Sequence, residues 1–325
     1  ALLLTSLISD DYVSREGLEP AETYALFLLA AIGAITMAAA NDLIVLFLGL
    51  ETMSLALYVL VASHRRRSVG LEGGLKYFIL GGFSSAFFLY GVALVYGATG
   101  TTNLGSVVGT FDVAIDLHRS NDAIVLAGVA LLLVGLGFKV AAVPFHFWTP
   151  DVYQGAPTPV TGFMASAAKA AAFAAMLRVI VVGLGHFSTD YLPVLGVVAL
   201  LTLLGGAVMG VVQSDVKRML AFSSVSHAGF MLVGVVGAAH QPGSLDSAGV
   251  RSVLVYTMVY AVLALGTFAA VTAVARTGDA ATDVGAFRGL GRQRPLFALG
   301  VTVLLLAQAG VPLTSGFVAK FGVIS

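Results

Sequence analysis

The sequence predicts an all-α fold, a polytopic transmembrane helical bundle, and three observations carry that reading. Of the 325 residues, 58% are hydrophobic and 10% are charged, whereas a soluble domain has about a quarter of its residues charged. Mean hydropathy is +0.96. Apolar windows of about 20 residues, the length that crosses a bilayer core, follow one another almost end to end and leave no room for a soluble domain.

The elements follow in order from those windows. A stump at 1–9 reads as the tail of a helix. Helices are then predicted near 22–40, 43–63, 76–97, 122–147, 158–183, 191–212, 216–238, 250–275 and 296–325, nine in all. Asn41 with Asp42, Ser214 with Asp215, and the Pro157 and Pro159 pair punctuate them as caps and turns. The start lacks a basic n-region and a small-residue cleavage site, which argues against a signal peptide. The far end stops inside an apolar stretch, so the sequence is expected to be an internal piece of a longer protein.

Charge excludes several function classes. Net charge is zero, and no basic tract exceeds Arg65, Arg66 and Arg67, so nothing points to nucleic acid. The chain has no cysteine and can supply neither disulfides nor thiolate ligands for an iron-sulfur cluster. Orientation is read from lysine and arginine in alternate connectors, because basic residues resist translocation. Connectors at 10–21, 64–76, 148–157, 213–218 and 276–295 hold eleven of them, including Arg65 to Arg67, Lys217 and Arg218. That side is expected to face the cytoplasm. The opposite side holds Arg119, Arg178 and Arg251 with Asp112, Asp116, Asp122, Asp190 and Asp246.

A shift of 173 residues lays Asn41-Asp42 on Ser214-Asp215 and Leu131 to Leu133 on Leu304 to Leu306. The five-helix spacing repeats with it. Units with an odd number of helices alternate in direction, so the second copy is expected upside down relative to the first. The expected organisation is 1–21 as the end of a preceding helix and loop, 22–183 as the first five-helix repeat, and 191–325 as the second, inverted repeat, truncated at its C-terminal end.

An ionised group at mid-bilayer costs roughly 2.5–3.5 kcal/mol on insertion scales, so each one needs a reason. Five positions stand out: Glu51, Lys139, Lys169, His227 and Lys320. Lys76, Arg178 and Lys217 lie nearer predicted helix ends, where snorkelling explains them. Pro144 and Pro312 fall inside predicted helices beside Lys139 and Lys320, and each lacks the amide that would donate to the carbonyl of Val140 and Gln308 respectively. Broken backbone at membrane depth is tolerated where it is buried in protein or lines a wet cavity, so Lys139 and Lys320 are expected to face hydrated half-channels. Glu51 is the carboxylate expected to neutralise Lys139 across a helix contact. A motion that separates such a pair loosens the hold on the proton.

The stretch FKVAAVPFHFWTPDVYQGAPTPVTGFMASAAKAAAF, together with GLETMSLALYVL, SDVKRMLAFSSVSHAGFMLVG and VPLTSGFVAKF, covers nearly the whole chain. It resembles the antiporter-like membrane subunits of respiratory complex I, and WTPDVYQGAPTPV is most similar to the subunit N branch. The resemblance implies a proton-translocating subunit of a bacterial NADH:quinone oxidoreductase, multi-pass in the plasma membrane. Glu51 and Lys139 would be a gating pair, Lys169 the central relay, His227 a bridge in the water chain, and Lys320 the link to the exit. It further implies no cofactor in this chain, with FMN, iron-sulfur clusters and quinone in other subunits. The implied partners are subunits of the K and M type, the redox arm and lipid.

Three rival readings differ in class. A subunit of a multi-subunit cation/proton antiporter or of a membrane-bound hydrogenase shares the glutamate-lysine logic. A haem carrier would use His146 and His227 as axial ligands, but His146 beside Trp148 reads as interfacial and His227 as central. A passive scaffold would carry its lysines as relics.

Overall fold

A computed structural model of the protein describes residues 1–113, 122–240 and 248–325, and every regular element among the described residues is helical. Asp116, Arg119 and Asp246 of the less basic side lie outside the described residues. In order the main helices are α1 (Leu2–Glu16), α2 (Pro20–Ala39), α3 (Leu43–Val61), α4 (Ser68–Thr99), α5 (Leu104–Val113) and α6 (Asp122–Val140). A short α7 (Trp148–Gly155) precedes α8 (Thr158–Gly183), which contains two π-helical stretches, Met164–Ala168 and Arg178–Gly183. Then come α9 (Ser188–Val211), α10 (Val216–Ala239), α11 (Ala248–Val274), α12 (Pro295–Ala309) and α13 (Ser315–Ile324). Eight of these are long and apolar enough to cross a membrane, with α12 and α13 as shorter apolar helices. The chain is a multi-pass membrane bundle.

Hydropathy placed most helices within a few residues, with two instructive departures. The windows 122–147 and 296–325 are not single helices. α6 stops at Val140 and α12 at Ala309, and Pro144 and Pro312 lie beyond those ends rather than within a helix. Both ends are closed by the same device, in which a left-handed residue turns its own amide and the next one back onto the last carbonyls. Ala141 (φ 63) donates to Phe138 O at 3.0 Å and Ala142 to Gly137 O at 2.8 Å. Gly310 (φ 79) donates to Ala307 O at 3.0 Å and Val311 to Leu306 O at 3.1 Å. The prolines enforce the stop because the residue before a proline avoids helical ψ. At the N-terminal end, α1 runs to Glu16, further than a nine-residue stump, and α4 starts at Ser68, so Lys76 sits inside it.

The same corner is built twice. Asp42 caps α3 by accepting from the amides of Ile44 (2.8 Å) and Val45 (3.3 Å), and its other oxygen accepts from Thr102 Oγ1 at 2.6 Å. Asp215 caps α10 through the Arg218 amide (2.9 Å) and accepts from Thr282 Oγ1 at 2.6 Å. The Leu43 amide donates to Thr102 O (2.9 Å) and the Val216 amide to Thr282 O (2.7 Å). The preceding hairpins match too: a Cβ on Gly33 would collide with the Met53 amide, and one on Gly206 with the Ser226 amide. α2 therefore touches α3, and α9 touches α10, backbone to backbone.

One end of the bundle gathers charged side chains from five connectors. The buried Asp279 accepts from Tyr12 Oη, Arg67 Nη1 and Lys217 Nζ, each at 3.2 Å. Glu16 accepts from the Gly278 amide (2.8 Å) and pairs with His64 Nε2 (3.2 Å). Asp151 is held between Lys76 (2.8 Å) and Arg218 (2.6 Å). Burial acts to raise the Asp279 carboxyl, but the Lys217 ammonium and Arg67 guanidinium outweigh it and hold it below the usual range. Asp151 is lowered likewise, burial being outweighed by Lys76 and Arg218. Asp215 is two residues from this cluster, whereas Asp42 is a whole helix away at the far end of α2. The two corners thus lie at opposite ends.

Candidate functional site

Lys139 is the last residue but one of α6, where a cation meets the negative end of the helix dipole. It is 7% exposed. Its Nζ donates to Ser54 Oγ of α3 at 2.7 Å and to Tyr77 Oη of α4 at 3.2 Å. Hydrogen bonds to a charged group contribute roughly 1.5–3 kcal/mol each, so two of them offset an insertion cost of about 2.5–3.5 kcal/mol. Glu51 lies one turn before Ser54 on the same helix, and its Oε1 accepts from Ser85 Oγ of α4.

The expected direct contact of Glu51 with Lys139 is not made. Each group is satisfied by hydroxyls instead, Glu51 by Ser85 and Lys139 by Ser54 and Tyr77, and a cavity of about 10 Å³ is lined by Ser54, Ser84, Ser85 and Lys139. That is the space of about one water molecule. Each partner rests on its own serine hydroxyl rather than closing an ion pair.

Lys169 follows the first π-helical stretch of α8 and is 3% exposed. The extra residue in a π turn shifts the phase of the helix, a feature common at functional positions. Its Nζ donates to Ser224 O of α10 at 2.8 Å and to Ser224 Oγ. His227 lies one turn beyond Ser224. Its Nδ1 pairs with Tyr256 Oη of α11 at 2.7 Å, and its ring packs on Tyr260 with centroids 4.6 Å apart. Lys169 of α8 therefore meets α10 at Ser224, one turn before His227.

Lys320 is carried by α13 yet reaches back across the break. Its Nζ donates to the carbonyl of Ala309, the last residue of α12, at 2.9 Å, and stands 4.8 Å from the Phe230 ring centre. A cleft of about 340 Å³ brings Lys320, His227, Ser223, Ser226 and Gln308 onto common walls. Gln308 Nε2 is anchored to Thr267 Oγ1 at 2.6 Å.

The five residues thus form two groups, Glu51 with Lys139, and Lys169 with His227 and Lys320. Between them stands an aromatic layer: Tyr77 stacks on Trp148 (4.6 Å), and Trp148 meets Tyr153 edge-on (6.2 Å). Trp148 Nε1 donates to Phe138 O at 3.1 Å and so pins α7 beneath the end of α6. Sequence reasoning missed Ser54, Ser84, Ser85, Tyr77, Ser224 and Tyr256. The one signal was spacing, since Ser54 follows Glu51 by three residues and Ser224 precedes His227 by three. Among the described residues no three His, Asp or Glu side chains group as a metal site.

The family described as NADH:quinone oxidoreductase/Mrp antiporter, transmembrane, matches residues 40–325. A Streptomyces griseus protein named NADH-quinone oxidoreductase subunit N 3 is 48% identical over 95% of the chain and 56% of its own length. A chain of respiratory complex I from Thermus thermophilus with bound aureothin superposes with a TM-score of 0.81 at 37% identity, over 99% of this chain and 66% of that one. A chain of the Mrp complex from a Dietzia species gives 0.82 at 28% identity, over 99% and 58%. The chain spans little more than half the length of the Streptomyces relative.

Proposed function

Because the chain belongs to the NADH:quinone oxidoreductase/Mrp antiporter transmembrane family, we propose that it is the proton-translocating part of a subunit of NADH:quinone oxidoreductase, of the subunit N type. It makes and breaks no covalent bonds other than those to protons. One observation carries the reading: Lys139 and Lys169 are each buried among hydroxyl and carbonyl acceptors, with no carboxylate among the described residues in direct contact. A purely structural buried cation gains most from a direct carboxylate partner. A cation that must give up its proton is better served by neutral acceptors that hold it without fixing it.

In this proposal Glu51 and Lys139 are the coupled pair. Ser54, Ser85 and a water between them carry the influence of one on the other. Lys169 is the central relay, Ser224 and His227 lead onward, and Lys320 faces the exit through its cleft. The redox groups, FMN, iron-sulfur clusters and quinone, belong to other subunits. Neighbours of the K and M type, the redox arm and lipid are the partners, and the charged end faces the cytoplasm of a bacterial plasma membrane. The two opposed copies of the aspartate corner support two inverted repeats, 22–183 and 191–325.

The test is replacement of Glu51 or Lys139 by alanine in the assembled complex. The expected result is normal assembly with several-fold lower coupled quinone reductase activity; full activity in both variants would defeat the assignment. The likeness to the Dietzia Mrp chain supports a second reading, a cation/proton antiporter subunit. Cation/proton exchange by vesicles that contain the protein but no quinone reductase would favour it.

A further inference from the structure

Two cavities approach each other inside the first half of the bundle, and one side chain stands in the wall of both. The larger, about 850 Å³, lies at the charged end. Its rim carries Glu19 and Glu22 from the start of α2 and Arg65 and Arg66 from the turn before α4, all exposed. The smaller is the cavity of about 10 Å³ that holds Ser54, Ser84, Ser85 and Lys139. Tyr58 alone is common to both linings.

The placement of Tyr58 follows from local geometry. It lies four residues after Ser54 on α3, so the two share a helix face. Its ring is held edge-on by Tyr77 (centroids 4.7 Å) and Phe78 (5.7 Å), and the residue is 8% exposed. Its hydroxyl lies over Gly81 of α4, where a Cβ would collide with it. Gly81 also lines the smaller cavity. The absent side chain at Gly81 therefore gives the phenol head its seat.

We propose that Tyr58 is the barrier and hand-over residue between the wide cavity and Lys139. The ring separates bulk water from the lysine, while the hydroxyl, which donates and accepts at once, passes protons across. A proton accepted from the wide side is matched by the phenolic proton leaving toward Ser54, so the hydroxyl is neutral before and after. Tyr58 is a positioning and transfer residue on the way to Lys139, and this inference rests on the relay role proposed above.

Because these 325 residues contain no cysteine, Ser84→Cys places a single reporter thiol of this stretch inside the smaller cavity. The assembled complex in nanodiscs is treated with water-soluble 2-aminoethyl methanethiosulfonate, and modification is read from the mass of the peptide that carries residue 84. Slow modification with Tyr58 present and modification faster by an order of magnitude with Tyr58→Ala are expected. Equal rates would overturn the barrier. Tyr58→Phe keeps the ring, so modification stays slow while protons pumped per quinone reduced fall several-fold; unchanged pumping would overturn the hand-over. If Tyr58→Ala does not assemble, Gly81→Ala, whose Cβ would meet the ring carbons Cζ and Cε1 as well as the hydroxyl and so displaces the ring, is expected to speed modification, and no change would count against the proposal. Full activity of Lys139→Ala would sink the relay reading while leaving the accessibility difference intact, so the two failures are told apart.

Discussion

At the scale of single residues, the amines of Lys139, Lys169 and Lys320 are held by oxygens that carry no full charge. Lys320 is the extreme case, since its ammonium rests on the carbonyl that ends α12. Gly310 makes this approach possible: it takes φ 79, and a Cβ there would stand 2.8 Å from Lys320 Cδ. Gly310→Ala is expected to lose about 1–2 kcal/mol to left-handed strain and to push Lys320 off the helix end. Thermal unfolding would report the first effect and coupled activity the second. The charged residues were legible in the sequence because a lysine in an apolar window has no cheap explanation. Their partners were not. A serine in a membrane helix commonly bonds its own preceding turn, as Ser54 does to Leu50 O at 2.5 Å, so its type alone says nothing about a second bond across to Lys139.

Helices and their ends were legible to different degrees. Hydropathy finds an apolar helix because its signal is summed over many side chains. It overran at Val140 and Ala309, because the turn that follows each is equally apolar and the stop is a backbone event. Pro144 and Pro312 marked the places correctly, although each lies past a helix end rather than within a helix. The cap residues were the more faithful signal. Asp42→Ala and Asp215→Ala should each cost about 1 kcal/mol of cap stability, plus the hydrogen bond to Thr102 or Thr282. Melting shifts of similar size in the two variants, measured by thermal unfolding of the purified complex, would bear out that the corners are equivalent. A shift confined to one of them would contradict it.

The whole molecule is organised by its charged end. Counting basic residues picked out the connectors that the fold gathers there, but the count ignored carboxylates and so could not anticipate that Asp279 and Glu16 tie them together. Because the Asp279 carboxyl is held below its usual range, its contribution to stability is present above about pH 4 and is lost as pH falls through its folded value. Asp279→Asn leaves Lys217 and Arg67 without their counter-charge, and breaking such a buried pair costs about 3–5 kcal/mol. The variant is expected to melt lower at neutral pH and to show a flatter decline on acidification, as followed by melting temperature across pH. A mutant curve parallel to that of the unmodified protein would contradict the assignment. Tyr12 and Arg67 reach this carboxylate from the first part of the chain and Lys217 from the second. That rim is consequently a clasp: a single carboxylate fastens the first part of the chain to the second.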